Sequence, residues 1–352
     1  MIVSMPHRST DLITQDYQEV TSYGIERFTP LKNDVVVMTG GTGFVGTWVA
    51  GLIAYLNDHH AFNIETILIA RNIEHFKATR PHLANRRDIK LISSDIRHFS
   101  DLPSETNWLI HAAASPDNRM HATHPMETMS VIANGTYSVL RAAERCSNFK
   151  MLLNMSSGLI YGSQPLDQSS IDETFTGAPK CGTVSSAYAE AKRFAETLCQ
   201  SSRSQARIPV VTARPFAFIG PYQSLERPWA INNFINDAIS GKPIRILGDG
   251  DTIRSYMYAS DMAYWTLAIL AEGQSGEIYN LGSPEEVSLN ALANKISGKF
   301  QTPPDIHLRV ATNQPKCSRF IPDISHAAHK LKLTATVSLD KAIENTIKWH
   351  TL

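Results

Sequence analysis

Between an apolar run, Val35-Val36-Val37-Met38, and an apolar-periodic stretch through Trp48, Leu52, Ile53 and Leu56 stands the segment Thr39-Gly40-Gly41-Thr42-Gly43-Phe44-Val45-Gly46. The run predicts a buried strand and the helical recurrence after it predicts a helix, which puts the glycines on a strand-to-helix turn. Glycines there remove side chains that would hold a ligand away from the backbone. The helix N-terminus adds free N–H groups and partial positive charge, a combination suited to the pyrophosphate of a dinucleotide. Gly40, Gly43, Phe44, Val45 and Gly46 are therefore candidate cofactor contacts.

Downstream, Thr66–Ala70, Ile89–Ile92, Trp108–Ile110, Met151–Asn154 and Pro209–Thr212 read as further strands separated by helical patterns, one closing over Val139–Cys146 and another spanning Ala187–Ser201. Strands alternating with helices imply a parallel sheet covered on both faces. The expected fold is α/β, a doubly wound parallel sheet over residues 34–214. Past Arg214 the alternation breaks at Pro215, Pro221 and Pro228, and a smaller C-terminal α/β lobe is expected over most of 215–352, with the chain rejoining the sheet at about 261–281. Within that part, Ala230–Ser240 reads as a helix, Ile244–Leu247 as a strand, and Ser288–Phe300 and Asp340–Trp349 as closing helices. Ser288, Ser338 and Asp261 read as helix caps. Residues 1–33 form an N-terminal extension, either a disordered arm or a strap packed on the fold.

Lys and Arg together number 33, as do Asp and Glu, giving a formal net charge of zero. This leaves no basic footprint for nucleic acid or for an anionic membrane surface. No run approaches the roughly 18 consecutive apolar residues of a membrane span, and the charged N-terminal stretch lacks the core of a signal peptide. Cys146, Cys181, Cys199 and Cys317 are scattered, without zinc-site spacing or the density of a disulfide scaffold. The expectation is a cytoplasmic protein with no metal, acting on small molecules.

A second segment, Tyr188-Ala189-Glu190-Ala191-Lys192, sets a phenol and an ammonium four residues apart on one helix face. The cation is expected to lower the phenol pKa toward neutrality, making Tyr188 a usable base. Upstream, Asn154-Met155-Ser156-Ser157-Gly158-Leu159-Ile160-Tyr161-Gly162 reads as a buried strand running into a serine turn, which can place the Ser157 hydroxyl beside the same reacting oxygen. In this order after a glycine turn, Ser157, Tyr188 and Lys192 point to redox catalysis with a nicotinamide cofactor. An acid at the end of the second strand would accept the ribose hydroxyls of NAD and reject a 2′-phosphate. The chain has Ala70-Arg71-Asn72 instead. Arg71 can pair with the phosphate of NADP, stack on the adenine or face water, so NAD and NADP both stay open.

From Asn33 onward the chain resembles the extended short-chain dehydrogenases/reductases, and among them the NAD-dependent nucleotide-sugar epimerase/dehydratase branch. The matching segments include Asp95-Ile96-Arg97, Ile110-His111-Ala112-Ala113-Ala114, Ala213-Arg214-Pro215-Phe216 with Gly220-Pro221, Gly248-Asp249-Gly250 with Arg254 through Asp261, and Pro322-Asp323-Ile324-Ser325. The resemblance implies a Rossmann fold in which Asp95 and Ile96 bracket the adenine, and Ala112, Ala113, Ala114 and Pro215 lie along the cofactor. It also implies that Ser115 and Ser157 meet a nucleotide-activated sugar, and that Arg254, with Arg319 second, holds its diphosphate. By the same resemblance the helix over Val131–Cys146 and the Tyr188 helix would pair two copies into a homodimer.

In this branch the shared first step is oxidation of a sugar carbon, usually C4, with Tyr188 taking the hydroxyl proton to leave a transient keto-sugar. The fate of the keto-sugar depends on further acids and bases. Familiar 4,6-dehydratases carry an Asp-Glu pair after the catalytic Ser/Thr and UDP-glucuronate decarboxylases a Glu, whereas this chain has Gly158 and Leu159. Asp117, His121, Glu173 and Cys181 are the nearest substitutes in the sequence. A 4-epimerase needs none, because it re-presents the other face of the keto-sugar to the reduced cofactor. The expected activity is a 4-epimerase. The alternatives are an NADPH-consuming reductase of nucleotide-linked keto-sugars, a 4,6-dehydratase with a non-standard base, and a non-catalytic cofactor-sensing protein. Ala217, Ile219 and Ile132 stand where the branch often has Asn, Tyr and Asn, so non-standard sugar contacts are expected.

Overall fold

The computed structural model describes residues 7–115, 117–309 and 318–352. A seven-stranded parallel sheet runs through its centre, formed by β1 (Val35–Thr39), β2 (Glu65–Ala70), β3 (Ile89–Ser93), β4 (Trp108–His111), β5 (Met151–Met155), β6 (Val210–Pro215) and β7 (Ile278–Leu281) in the order β7-β6-β5-β4-β1-β2-β3. The strands are apolar on both faces because both faces are covered. Val36, Met38 and Leu68 pack on one side with Trp48 and Leu52 of the helix α2 (Phe44–His60). Val37, Ile67 and Ile69 pack on the other with Val139 and Leu140 of a long helix and Cys199 of the Tyr188 helix. The strand order reverses between β1 and β4, and the carboxyl ends of these two strands open the crevice where such sheets take ligands.

Strand positions read from the sequence hold to within a residue or two, except that β6 runs on to Pro215. Its register with β7, Thr212 to Ile278 through Pro215 to Leu281, extends the ladder past the predicted end. Beyond β6 a separate apolar cluster forms around Ile231, Phe234, Ile244, Leu292 and Ile343. A three-stranded sheet, Glu286–Ser288, Ile253–Ser255 and Arg319–Phe320, lies in the same part of the chain.

Ser288 and Ser338 cap their helices, accepting from the N–H of Ala291 and Lys341. Asp261 does not cap. It is buried in the first turn of Ala259–Glu272, and its carboxylate accepts from the N–H groups of Thr336 and Val337 and from the Thr336 hydroxyl. It ties the C-terminal segment to this helix through partners far away in the chain, which local pattern could not reveal.

At the N-terminus, α1 (His7–Thr21) buries Leu12, Ile13, Tyr17 and Val20. The Tyr17 hydroxyl donates to the Trp48 carbonyl at 3.1 Å. Asp16 accepts from the Tyr258 hydroxyl at 2.6 Å and from the Asn345 amide at 3.1 Å, joining α1 to the C-terminal helix Leu339–Thr351. Cys146, Cys181 and Cys199 are free thiols, and Cys317 lies outside the described residues. Among the described residues there is no cluster suited to a metal ion and no helix long and apolar enough to cross a membrane.

Candidate active site

The glycine turn closes against the end of β4. Gly40 has φ +68, and a Cβ on it would stand 2.7 Å from the Ala112 carbonyl oxygen, so the two strand ends approach only because that side chain is missing. A Cβ on Gly46 would come within 2.2 Å of the Gly41 carbonyl oxygen, which presses α2 onto the turn. Gly43 is exposed, and no side chain caps the N-terminus of α2, whose first amides at Phe44 and Val45 are left without intrahelical acceptors. An uncapped helix end behind a bare glycine turn fits a dinucleotide pyrophosphate.

Around this turn, Asp95 caps the short helical turn Ile96–His98. Arg97 at 2.5 Å holds its carboxyl down at about 2. Ile96 turns its side chain into the core against Gly135. Arg71, 60% exposed, pairs with Glu127 at 3.3 Å. The half-buried Ala112, Ala113 and Ala114 continue from β4, with the Ala112 N–H donating to the Thr39 carbonyl. Pro215 ends β6 opposite Leu281.

Directly before Ala112, the buried His111 bonds to the Thr39 hydroxyl at 2.7 Å and to the Thr136 hydroxyl at 3.0 Å, tying β1 and β4 to the helix above them. Burial pushes its pKa down to about 3, so the ring is neutral. Its only trace in the sequence is a lone histidine at the end of an apolar strand, which spacing does not single out.

Ser157 follows β5 and caps the turn Gly158–Tyr161, accepting from Leu159 N–H at 3.1 Å. It also hydrogen-bonds Tyr188. Tyr188 and Lys192 lie one turn apart on Ala187–Ala206, 8% and 5% exposed. Lys192 Nζ donates to the Met155 carbonyl at 2.6 Å and stands 5.9 Å from the centre of the Tyr188 ring. The three predicted residues are thus brought together. The predicted lowering of the phenol is not found. Burial pushes Tyr188 up to about 12 against the Ser157 bond, and it pushes Lys192 down to about 8. The lysine proton donor is turned toward Met155, and desolvation by burial dominates at the phenol. Phenol, hydroxyl and ammonium together still form a buried cluster able to take up and return a proton.

The candidate extra acids and bases separate in space. His121 stacks on Tyr188, ring centres 4.3 Å apart. Asp117 is held by Arg119 and Arg227, both at 2.9 Å, well below the usual carboxylate range. Glu173 accepts from the Asn280 N–H in β7 at 2.6 Å, and Cys181 is exposed. Ser115 is exposed, with its carbonyl bonded to His121. Gly158 has no room for a side chain, since a Cβ would lie 2.9 Å from the Phe216 ring, and Leu159 is 44% exposed.

Arg254 and Arg319 sit on the three-stranded sheet. The Arg254 guanidinium donates to the Ser318 carbonyl at 3.0 Å and its hydroxyl at 2.9 Å, while Arg319 pairs with Glu286. Phe320, in register with Arg254, packs on Phe216 with ring centres 4.8 Å apart, linking this sheet to the Ser157 turn.

The model of the NAD dependent epimerase/dehydratase family matches residues 36–282. UDP-glucuronic acid decarboxylase 1 of Xenopus tropicalis is 28% identical over 319 residues, spanning 89% of this chain and 71% of that protein. The dTDP-D-glucose 4,6-dehydratase of Homo sapiens is 26% identical over 327 residues, spanning 90% of this chain and 89% of that protein. The solved UDP-glucuronic acid 4-epimerase from Bacillus cereus, in complex with UDP-glucuronic acid and NAD, is 24% identical, with a TM-score of 0.76 over 90% of this chain and 99% of that one. Where Arg71 left two cofactors open, the family points to NAD. A seven-stranded Rossmann sheet, an uncapped glycine turn and a family match running from β1 through β7 agree, and the chain belongs to the NAD-dependent epimerase/dehydratase family.

Proposed function

We propose that this enzyme is a nucleotide-sugar 4-epimerase acting through a transient 4-keto-sugar. The turn after Ser157 carries the reading: Gly158 is packed against Phe216 and Leu159 is apolar, so the turn has no carboxyl group to work at C5 or C6. Epimerisation at C4 requires none.

Bound NAD supplies the two-electron acceptor and, when oxidised, a positively charged nicotinamide ring. Tyr188 takes the proton of the C4 hydroxyl and returns it once the keto-sugar has presented its other face. Ser157 hydrogen-bonds that oxygen throughout, and Lys192 supports the phenolate while holding the helix to the end of β5. The backbone of Gly40, Gly43, Phe44, Val45 and Gly46 would hold the pyrophosphate, with Asp95, Ile96 and Arg71 toward the adenosine end and Ala112, Ala113, Ala114 and Pro215 toward the nicotinamide. Ser115 meets the sugar, and Arg254 and Arg319 take its diphosphate in exchange for Ser318 and Glu286. The expected setting is the cytoplasm. Met126, Met129 and Tyr137 on the long helix, which runs over Pro125–Ala143, and Phe194 on the Tyr188 helix are exposed on the two helices expected to pair, which supports a homodimer.

The test is to identify by mass spectrometry what denatured enzyme releases, then to incubate the protein with UDP-, dTDP-, GDP- and CDP-hexoses and their uronates. Released NAD with a C4-inverted product supports the reading. Loss of water would make it a dehydratase, loss of carbon dioxide a decarboxylase, and bleaching of added NADPH by a keto-sugar a reductase.

A further inference from the structure

We propose that His121 is a positioning residue for Tyr188, an imidazole plate that fixes the phenol in the place where it exchanges its proton. This rests on the reading of Tyr188 as the proton-transfer group. The imidazole lies nearly parallel to the phenol, at an interplanar angle of 14° and a centre-to-centre distance of 4.3 Å, and both rings are buried.

The plate is itself held. His121 Nε2 lies 2.7 Å from the Ser115 carbonyl oxygen. A carbonyl only accepts, so this nitrogen carries the proton and the tautomer is set by the backbone. Behind the ring, the His121 N–H donates to the Asp117 carbonyl at 3.2 Å. The Asp117 side chain is gripped by Arg119 through Nε at 3.1 Å and Nη2 at 2.9 Å, and by Arg227 through Nη1 at 2.9 Å. The short helix Asn118–Thr123 is thereby anchored at its start to a loop more than a hundred residues later in the chain.

Tyr188 Oη lies on the axis of ring rotation, so a ring flip does not move it. A swing about χ1 does, and such a swing normal to the ring plane drives the phenol into the imidazole. The stack therefore resists any swing of Oη toward the imidazole side of its ring. Misplacement of a proton-transfer group by about 1 Å costs on the order of a hundredfold in rate, and an aromatic stack contributes beyond its buried area.

The experiment compares H121A and H121F with the unaltered enzyme, reading kcat and KM on the nucleotide sugar it turns over. It also records the fluorine NMR spectrum of protein labelled with 3-fluorotyrosine, the Tyr188 resonance being assigned by its loss in Y188F. We expect H121A to lower kcat roughly 10- to 100-fold with KM within about threefold, and to shift the Tyr188 resonance. H121F, which keeps a flat ring without a titrating nitrogen, recovers most of the rate, the resonance and the unaltered pH profile. An H121A enzyme with full kcat overturns the proposal, as does an H121F enzyme as slow as H121A or with a changed pH profile, which would make His121 an acid or base in its own right. If the unaltered enzyme turns over no nucleotide sugar, the reading of its function falls, and an unmoved Tyr188 resonance in H121A would separately show that the stack does not exist.

Discussion

Lys192 Nζ stands 2.6 Å from the carbonyl oxygen of Met155, so the buried ammonium of the Tyr188 helix is bonded to the last residue of β5. Two residues further on comes Ser157, which bonds Tyr188 in turn. One cation therefore sets the distance between the strand end that carries the hydroxyl and the helix that carries the phenol.

Replacing that cation should affect both rate and stability, whereas removing the phenol oxygen should affect rate far more than stability. K192M leaves the Met155 carbonyl without its buried donor, at a cost of about 1–3 kcal/mol, and lowers kcat as well. Y188F keeps the ring and its stack but lowers kcat by about 10²- to 10⁴-fold, and costs only about 0.5–1.5 kcal/mol of stability because Ser157 keeps its Leu159 partner. Steady-state kinetics beside calorimetry check this pair; a K192M protein as stable as the unaltered one would show that the Met155 bond holds nothing.

The turn after Ser157 should resist any side chain at its first residue. G158A places a methyl 2.9 Å from the Phe216 ring and should destabilise the protein by about 1–3 kcal/mol. F216L, which removes the ring edge, should recover part of that loss when combined with it. Additive losses in a double-mutant cycle followed by urea denaturation would exclude the contact as the cause.

Asp16 makes stability depend on pH. Burial pushes its carboxyl from 3.8 up to about 7, against the opposing Tyr258 bond. Between those values the folded protein keeps a proton that the unfolded chain has lost, so this contribution is complete below pH 3.8 and disappears as pH rises through 7. The unaltered protein should lose on the order of a few kcal/mol across this window. D16N lacks the titration, so its melting temperature relative to the unaltered protein should climb from pH 5 to pH 8. A difference that stays flat over that range would refute the assignment.

In the homodimer proposed above, the exposed stripe on the two helices should hold the copies together. The double variant Y137E/F194E adds charge at two positions that are 57% and 53% exposed in the single chain. It should elute as a folded monomer in light-scattering chromatography, whereas the unaltered protein should elute as the proposed dimer. A monomeric unaltered protein would show that the stripe pairs nothing.

Much of this enzyme could be read from residues close together in the chain. The glycine turn between an apolar run and a helical period, the alternation of strands and helices, and the four-residue spacing of Tyr188 and Lys192 are local patterns, and local backbone geometry was enough to interpret them. Packing decided the rest. Whether the phenol is lowered or raised depends on burial and on where the Lys192 ammonium points, and both are set by β5 and its neighbours. Asp261 reads as a cap until Thr336 and Val337 arrive to take its carboxylate. His121 reads only as one of four candidate acids and bases until a short helix lays it on Tyr188. Desolvation and contacts between distant segments exist only once the chain has closed on itself, so they leave no periodicity or spacing to read beforehand.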